Sequence, residues 1–144
     1  MKVANPAYEL YLEQQTLWVR AIGVWTSRDI KEYIEDFRDI VQPIINRPWA
    51  LVLDVRDWQT SPKEIFAGVT DNSNWCVQHR LAHVIALLPA DHVIGWQFLK
   101  ATAIEMPETL VRQRTDTTDE ARRNLVAAGF LDVQVSPDEK KPAE

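Results

Sequence analysis

The chain has 144 residues, of which 46% are apolar, and it carries a net charge of −5 with an isoelectric point near 5.2. This length and apolar content suit a single domain with a core of its own. The negative charge and the scattered basic residues argue against nucleic acid or an anionic membrane as a partner, because binding phosphates takes clustered lysine and arginine.

The cysteine count and the absence of long apolar runs in the sequence bear on the compartment. Cys76 is the only cysteine, so no internal disulfide can form, which favours a reducing cytoplasm. No apolar run approaches the ~20 residues of a transmembrane helix, and the opening "MKVANPAYEL" lacks the apolar stretch of a signal peptide. We therefore expect a cytoplasmic protein without an integral membrane segment.

Residues 8–12 and 17–22 alternate between apolar and polar side chains. The polar pair Gln14–Gln15 separates the two segments. Period two on both sides of a short polar break predicts an antiparallel hairpin.

After "GVWT" the apolar spacing changes to three and four, which predicts an amphipathic helix through about residue 45. Thr26 or Ser27 is a suitable cap for its start, and Asp29 is favourable in its first turn. Pro43 should bend or end the helix, because it lacks the donor to the carbonyl four residues back.

The near-continuous apolar run "WALVLDV", residues 49–55, predicts a buried strand of a parallel sheet. The elements predicted after it are a helix from Pro62 to about Arg80, a buried strand over 81–90, a helix capped by Asp91, a short edge strand over 109–114, and a helix opened by Thr118 and stopped by Gly129. Residues 70–74, "TDNSN", form helix weakly, so an interruption of the Pro62–Arg80 helix is expected there.

This order of elements predicts an α/β fold. We expect a mixed sheet of about five strands, with an N-terminal antiparallel hairpin followed by parallel strands, and about four helices. Residues 1–134 should form one domain. Residues 135–144 are charged, contain proline and hold few apolar groups, so we expect a disordered tail.

The element order, with "LVLDVRDW" running into "QTSPKEI", resembles the STAS domain, the fold of the anti-sigma-factor antagonists. It looks closest to the bacterial STAS-like group described alongside CRAL-TRIO lipid-binding proteins. The resemblance implies a small mixed sheet, helices mostly on one face, and a protein-binding surface around the start of the second helix. In the antagonists a partner kinase phosphorylates a serine at this turn, and Ser61 is the closest match. Thr60 and Pro62 flank it in place of the family's Asp-Ser-Ser-Gly run.

The turn after the buried strand is the first candidate site. Asp57, Trp58, Thr60 and Ser61 are the predicted regulatory or partner-binding residues. Ser61 has a second interpretation as a helix cap, because Ser61, Pro62 and Glu64 have the pattern of a capping box with proline at the first helical position.

Asp54 and Asp57 lie at the end of the same strand. Their spacing of three places them on opposite faces of a regular strand. We therefore do not expect them to work as a paired acid and base on one substrate atom.

Six tryptophans lie along the sequence, and Trp25 and Trp58 fall at predicted strand ends beside turns. Rings in such places either plug the edge of the sheet or line a pocket for an apolar ligand. Trp96 and Phe98 could complete such a pocket between the sheet and the helix capped by Asp91. A lipid chain would be a suitable occupant.

The sequence presents no catalytic constellation. Cys76 and His79 are neighbours on a predicted helix, but Cys76 falls on the apolar stripe and is predicted to be a buried structural thiol. The three histidines lack ligand spacing, and there is no phosphate-binding glycine loop, so we expect no catalytic residue, metal or cofactor.

The predicted function is a non-catalytic module that binds another protein, such as a kinase or regulatory factor, with phosphorylation of Ser61 as its control. The alternative is a carrier of a lipid or other small apolar ligand, and an enzyme comes third. The sequence does not decide whether the protein forms a homo-oligomer.

Overall fold

The computed structural model describes residues 1–59, 61–88 and 110–132. Six strands form one sheet in the spatial order of the chain. They are β1 (Lys2–Asn5), β2 (Tyr8–Glu13), β3 (Thr16–Gly23), β4 (Trp49–Trp58), β5 (Leu81–Leu87) and β6 (Val111–Arg114). The described helices are α1 (Ser27–Ile40), α2 (Lys63–Gln78) and α3 (Thr118–Ala128). The predicted helix after Asp91 lies outside the described residues.

The sheet is mixed, as predicted. The β1–β2 and β2–β3 pairs are antiparallel, and the β3–β4, β4–β5 and β5–β6 pairs are parallel. The described part of the sheet has six strands where about five were predicted, because β1 precedes the predicted hairpin. The Asn5 side-chain oxygen accepts a hydrogen bond from Ala7 N at 2.9 Å and so stabilises the turn between β1 and β2. A strand of four residues is too short for an alternating pattern to reveal.

Helix α1 begins and ends where its local signals predict. Thr26 is the N-cap and forms a capping box with Asp29, whose carboxylate accepts from Thr26 N at 2.8 Å. The helix ends at Ile40, before Pro43. The cap and the effect of Pro43 are therefore confirmed, whereas the extent predicted from the apolar spacing, through about residue 45, is too long.

Helix α2 is continuous through residues 70–74, so the expected interruption is wrong. The Thr70 and Ser73 hydroxyls donate to the carbonyls of Phe66 and Val69, at 3.0 and 2.9 Å. These bonds occupy hydroxyls that would otherwise compete with the helix backbone. The buried residues Val69 and Cys76 supply the packing that weak helix formers lack.

The sheet separates two apolar clusters. Helices α1 and α2 cover what we call the inner face, and their core includes Tyr33 and Val69. Helix α3 covers part of the opposite, outer face with Ala121 and Leu125. It ends as predicted at Gly129, which adopts the left-handed conformation at φ 90°. No helix in the described ranges is both long enough and apolar enough to cross a bilayer.

Candidate functional site: the Ser61 corner and the adjoining cavity

The carboxyl ends of β3 and β4 meet at one corner of the molecule. Their parallel register ends with Gly23 opposite Trp58, and Gln59 N donates to Gly23 O at 2.9 Å. The chain then leaves β3 toward α1 and leaves β4 toward α2. Ligands of open α/β sheets gather at such strand ends.

Ser61 connects the two loops of this corner. Its hydroxyl accepts a hydrogen bond from Trp25 N at 3.1 Å and donates to Gln59 O at 3.2 Å. The residue is only 6% exposed. The Ser61 side chain thus contacts a backbone N–H that lies 36 residues earlier in the chain.

The interpretation of Ser61 as a helix cap is wrong. Helix α2 begins at Lys63, its N-cap is Pro62, and no side-chain hydrogen bond caps it. Proline therefore precedes the helix instead of occupying its first position. The physical reason is that the Ser61 hydroxyl serves the buried N–H of Trp25 and is not available to the amides of α2.

The Asp57 carboxylate lies at the exposed rim of the corner. Its Oδ2 accepts from Arg20 Nε at 3.1 Å and from Arg20 Nη2 at 2.8 Å. The hydrogen bond to Asp57 raises the pKa of Arg20 above its ordinary value. The Asp57 side chain is 53% exposed, so water screens the pair and its net contribution to stability is small.

Asp54 has an arginine of its own. Its carboxylate accepts from Arg56 Nε at 2.9 Å and Arg56 Nη2 at 2.8 Å, and the hydrogen bond raises the pKa of Arg56. Asp54 is 9% exposed, so this pair is drier than that of Asp57. Each of the two carboxylates is paired with an arginine, so neither is a free carboxylate of the kind a general base requires.

The prediction that Asp54 and Asp57 lie on opposite faces is wrong. A register shift in the β3–β4 ladder, after Arg20, inserts an extra residue in β4. Val55 and Trp58 consequently both join the inner core. Asp54 and Asp57 both lie on the outer face, where Arg20 bonds Asp57 and borders a groove with Asp54.

Trp25 and Trp58 come together beneath the corner. Their ring centroids are 5.2 Å apart, and Trp25 Nε1 donates to Ala7 O at 2.8 Å. Trp25 is 2% exposed and Trp58 is 3% exposed. The two rings close the edge of the core and also line a cavity. Thr60, Trp96 and Phe98 lie outside the described residues.

The cavity lies between the inner face of the sheet and helix α2, and its volume is about 50 Å³. Aliphatic side chains of β3, β4 and β5 form its floor. Tyr33 closes it beside the two tryptophans, while Asn72 and Cys76 border it from α2. Burial raises the pKa of the Cys76 thiol well above its ordinary value, so this sulfur is a neutral wall group.

His79 does not form a catalytic pair with Cys76. Its Nδ1 lies 2.7 Å from Trp75 O, and its ring stacks on Trp75 at 4.1 Å. Cys76 is 1% exposed, as predicted for a structural thiol. Among the described residues, no group of three or more histidine, cysteine, aspartate or glutamate side chains could hold a metal ion.

Sequence reasoning missed Tyr33 and Asn72 as residues that line the cavity. Both were treated only as parts of helices, although Asn72 falls between Val69 and Cys76 on the buried stripe of α2. A carboxamide at a core position three residues after one apolar residue and four before another is the signal that could have revealed it.

Comparison with known proteins identifies the fold. No protein-family model and no curated protein matches the chain. The structure is similar to the crystal structure of an uncharacterized protein from the DUF3478 family, with a SpoIIAA-like fold, from Shewanella loihica PV-4. The TM-score is 0.63 at 12% identity, over 83% of this chain and 92% of the other.

This likeness defines the class of the protein at the level of fold. The chain has a SpoIIAA-like, STAS-like α/β fold, and the resemblance inferred from the sequence is confirmed. At 12% identity the likeness establishes the fold alone. Function must therefore be argued from the corner and the cavity.

Proposed function

We propose that the chain is a non-catalytic protein-binding module that uses the Ser61 corner as its contact surface. The observation that carries the proposal is the Ser61 hydroxyl, which joins the loops after β3 and β4 into one buried unit. A loop surface held in place before binding loses little conformational entropy when a partner docks. The SpoIIAA-like fold agrees with a role of this kind.

The rim of this buried unit has the mixed chemistry of a protein interface. Val24 is a large apolar residue that is 52% exposed. The side chains of Arg56 and Asp57 are 42% and 53% exposed and carry opposite charges. Pro62 and Lys63, at the start of α2, are exposed as well. A mixture of exposed apolar and charged side chains is typical of transient protein interfaces.

Phosphorylation of Ser61 is the control that we propose for this surface. A phosphate adds roughly two negative charges and needs room that a 6% exposed residue does not have. The modification would therefore separate the two loops. It would not simply add charge at an accessible helix end. Ser61→Asp should lose the partner, whereas Ser61→Ala, which adds no charge or bulk, should retain part of the binding.

Site-specific photo-crosslinking tests the contact surface. A photoreactive amino acid is placed at Val24 in one variant and at Val111 in another, and both are expressed in the source cells. Val111 is a matched control, because it is also an exposed valine, 43% accessible, but belongs to the edge strand β6. The proposal expects a discrete adduct from Val24 that Ser61→Asp abolishes. Equal adducts from both positions, or none from Val24, would contradict it.

A second candidate function rests on the cavity beside Trp25 and Trp58. We propose that it holds a small apolar ligand, as the predicted alternative requires. Its volume of about 50 Å³ favours a compact molecule over a lipid chain, since even benzene occupies an engineered cavity of about 150 Å³. Native mass spectrometry of the purified protein tests retention of such a molecule, and a lipid-sized adduct would contradict the compact class.

A further inference from the structure

Strand β1 forms one edge of the sheet, and in the described part of the chain it pairs with β2 alone. Leu12 N donates to Met1 O at 3.0 Å, which fixes the direction of the backbone groups along β1. In an antiparallel ladder, successive residues bond toward the neighbouring strand and away from it in turn. Val3 therefore bonds toward β2, as Met1 does, while the N–H and C=O groups of Lys2 and Ala4 point away from β2. Both of these residues are exposed, so another strand can reach this edge.

The side chains of β1 divide between the two faces of the sheet. Ala4 lies opposite Glu9, which bonds the outer-face residue Arg20. Because side chains alternate along a strand, Lys2 and Ala4 both belong to the outer face. Val3 is half-buried and packs against the inner core. The edge thus has a polar side and an apolar side.

We propose that a second copy of this chain binds at this edge, with the two β1 strands antiparallel about a two-fold axis, so that the two sheets become continuous. Residues directly opposite each other in an antiparallel pair share a face. Lys2 can therefore lie opposite Lys2 or Ala4 of the second copy, but not opposite Val3. With Lys2 opposite Ala4, the outward backbone groups form two hydrogen bonds in each of the two Lys2–Ala4 pairs.

The neighbouring registers are worse. A shift of two residues in one direction places Lys2 against Lys2 of the second copy, and like charges directly opposite each other destabilise a sheet. A shift of two residues in the other direction places Lys2 against Pro6, which has no N–H to donate. The order of residues in this short segment therefore favours the register that pairs Lys2 with Ala4.

This register also matches charges between the two copies. Among the residues that the structure describes, Lys2 forms no salt bridge. In the dimer it lies beside Ala4 of the second copy, whose own neighbour in the sheet is Glu9. The small alanine leaves the lysine stem a path to that carboxylate, and two-fold symmetry repeats the contact. A lysine on an edge strand opposes pairing where it meets a like charge, but here it meets an opposite one.

The inner face adds an apolar contact on the two-fold axis. Val3 lies opposite Val3 of the second copy and extends the core that it already borders. Four-residue strands bury less area than a standard protein interface, so we expect a weak, reversible dimer with a dissociation constant of about 10–100 µM. Sedimentation velocity of the untagged full chain over a range of concentrations measures it.

Two charge reversals test the register. Lys2→Glu and Glu9→Lys should each weaken self-association about tenfold or more, because positions 2 and 9 then carry like charges in the dimer. An equal mixture of the two variants should form a heterodimer of nearly the original affinity, since each position 2 then meets an opposite charge. Lys63→Glu is the matched control, because it makes the same change of charge at an exposed lysine of α2 and should leave the dimer intact.

Hydrogen exchange of the unchanged chain tests the backbone pairing separately. The Ala4 N–H should become protected as the concentration rises through the dissociation constant. The Val3 N–H, which bonds toward β2, should be protected at every concentration. A monomer throughout, Ala4 protection that does not depend on concentration, or a dimer that Lys2→Glu leaves intact would overturn the proposal.

Discussion

The two faces of the sheet differ in how their polar side chains are paired. On the inner face a continuous chain of aromatic contacts runs from Trp49 through Phe37, Tyr33, Trp25 and Trp58 to Phe66. Polar groups within it have partners from distant segments, as Trp25 Nε1 donates to Ala7 O and Trp49 Nε1 donates to His79 O. On the outer face charged side chains pair with one another in the presence of water. Side chains of the inner face should therefore dominate stability and ligand recognition.

A matched pair of tryptophan substitutions tests this contrast most strongly. Trp25→Ala removes a ring that contacts Tyr8, Tyr33 and Trp58, and should lower the free energy of unfolding by about 3–5 kcal/mol. Trp18 is half-buried on the outer face beneath Arg122. Trp18→Ala should cost less than about 2 kcal/mol. Urea unfolding measures both, and equal losses would contradict the contrast.

Ser61→Ala is the next largest test. The substitution leaves the buried Trp25 N–H without its acceptor, so we expect a loss of about 1–3 kcal/mol in the free energy of unfolding. Ser27→Ala is the control, since Ser27 is exposed at the start of α1 and its change should stay within about 0.5 kcal/mol. Thermal or urea unfolding distinguishes them. An unchanged midpoint for Ser61→Ala would mean that the hydroxyl does not stabilise the corner.

Alkaline pH should lower the free energy of unfolding chiefly through groups of the inner face. Burial raises the pKa values of Tyr33 and Cys76, so the unfolded chain releases these protons first, near its ordinary values of 10.0 and 9.0. The folded state then binds more protons, and stability falls as pH rises above about 9. Tyr33→Phe should make this fall shallower by up to about 1.4 kcal/mol per pH unit above pH 10. Urea unfolding at several pH values measures the slopes, and parallel curves would contradict the assignment.

The smallest effect is expected at the outer face. Asp57→Asn removes a half-exposed partner of Arg20 and should cost less than about 1 kcal/mol, with a smaller loss at high salt. Asp54→Asn should cost more, because that side chain is 12% exposed and accepts hydrogen bonds from both the guanidinium and the backbone N–H of Arg56. Unfolding at low and high ionic strength orders the two. The reverse order would show that burial does not set the strength of these pairs.

Local signals predicted local structure well. The Thr26–Asp29 capping box, the end of α1 before Pro43 and the stop of α3 at Gly129 all depend on a few neighbouring residues. The face of Asp57 was predicted wrongly, because it depends on a bulge that forms only when β4 pairs with β3. The edge strand β1 was missed because it is recognisable only as the partner of β2.

The candidate site was predicted in position but not in chemistry. Ser61 and Trp58 were placed at the correct strand end, since apolar runs and turn residues locate strand ends. The role of Ser61 was missed, because its hydrogen-bond partner Trp25 lies 36 residues away. Asn72 was treated as a weak helix former, and its contact with Arg38 across the α1–α2 seam could not be derived from either helix alone.

The sequence by itself determined the order of the described elements after β1, the α/β class and most helix ends, because periodicity and capping act over a few residues. The tertiary structure alone decided which hydroxyl serves which buried amide, on which face each carboxylate lies, and that a cavity remains beside Tyr33 and Asn72. Those features depend on segments far apart in the chain. A buried polar group is satisfied only by what packing brings within hydrogen-bond distance.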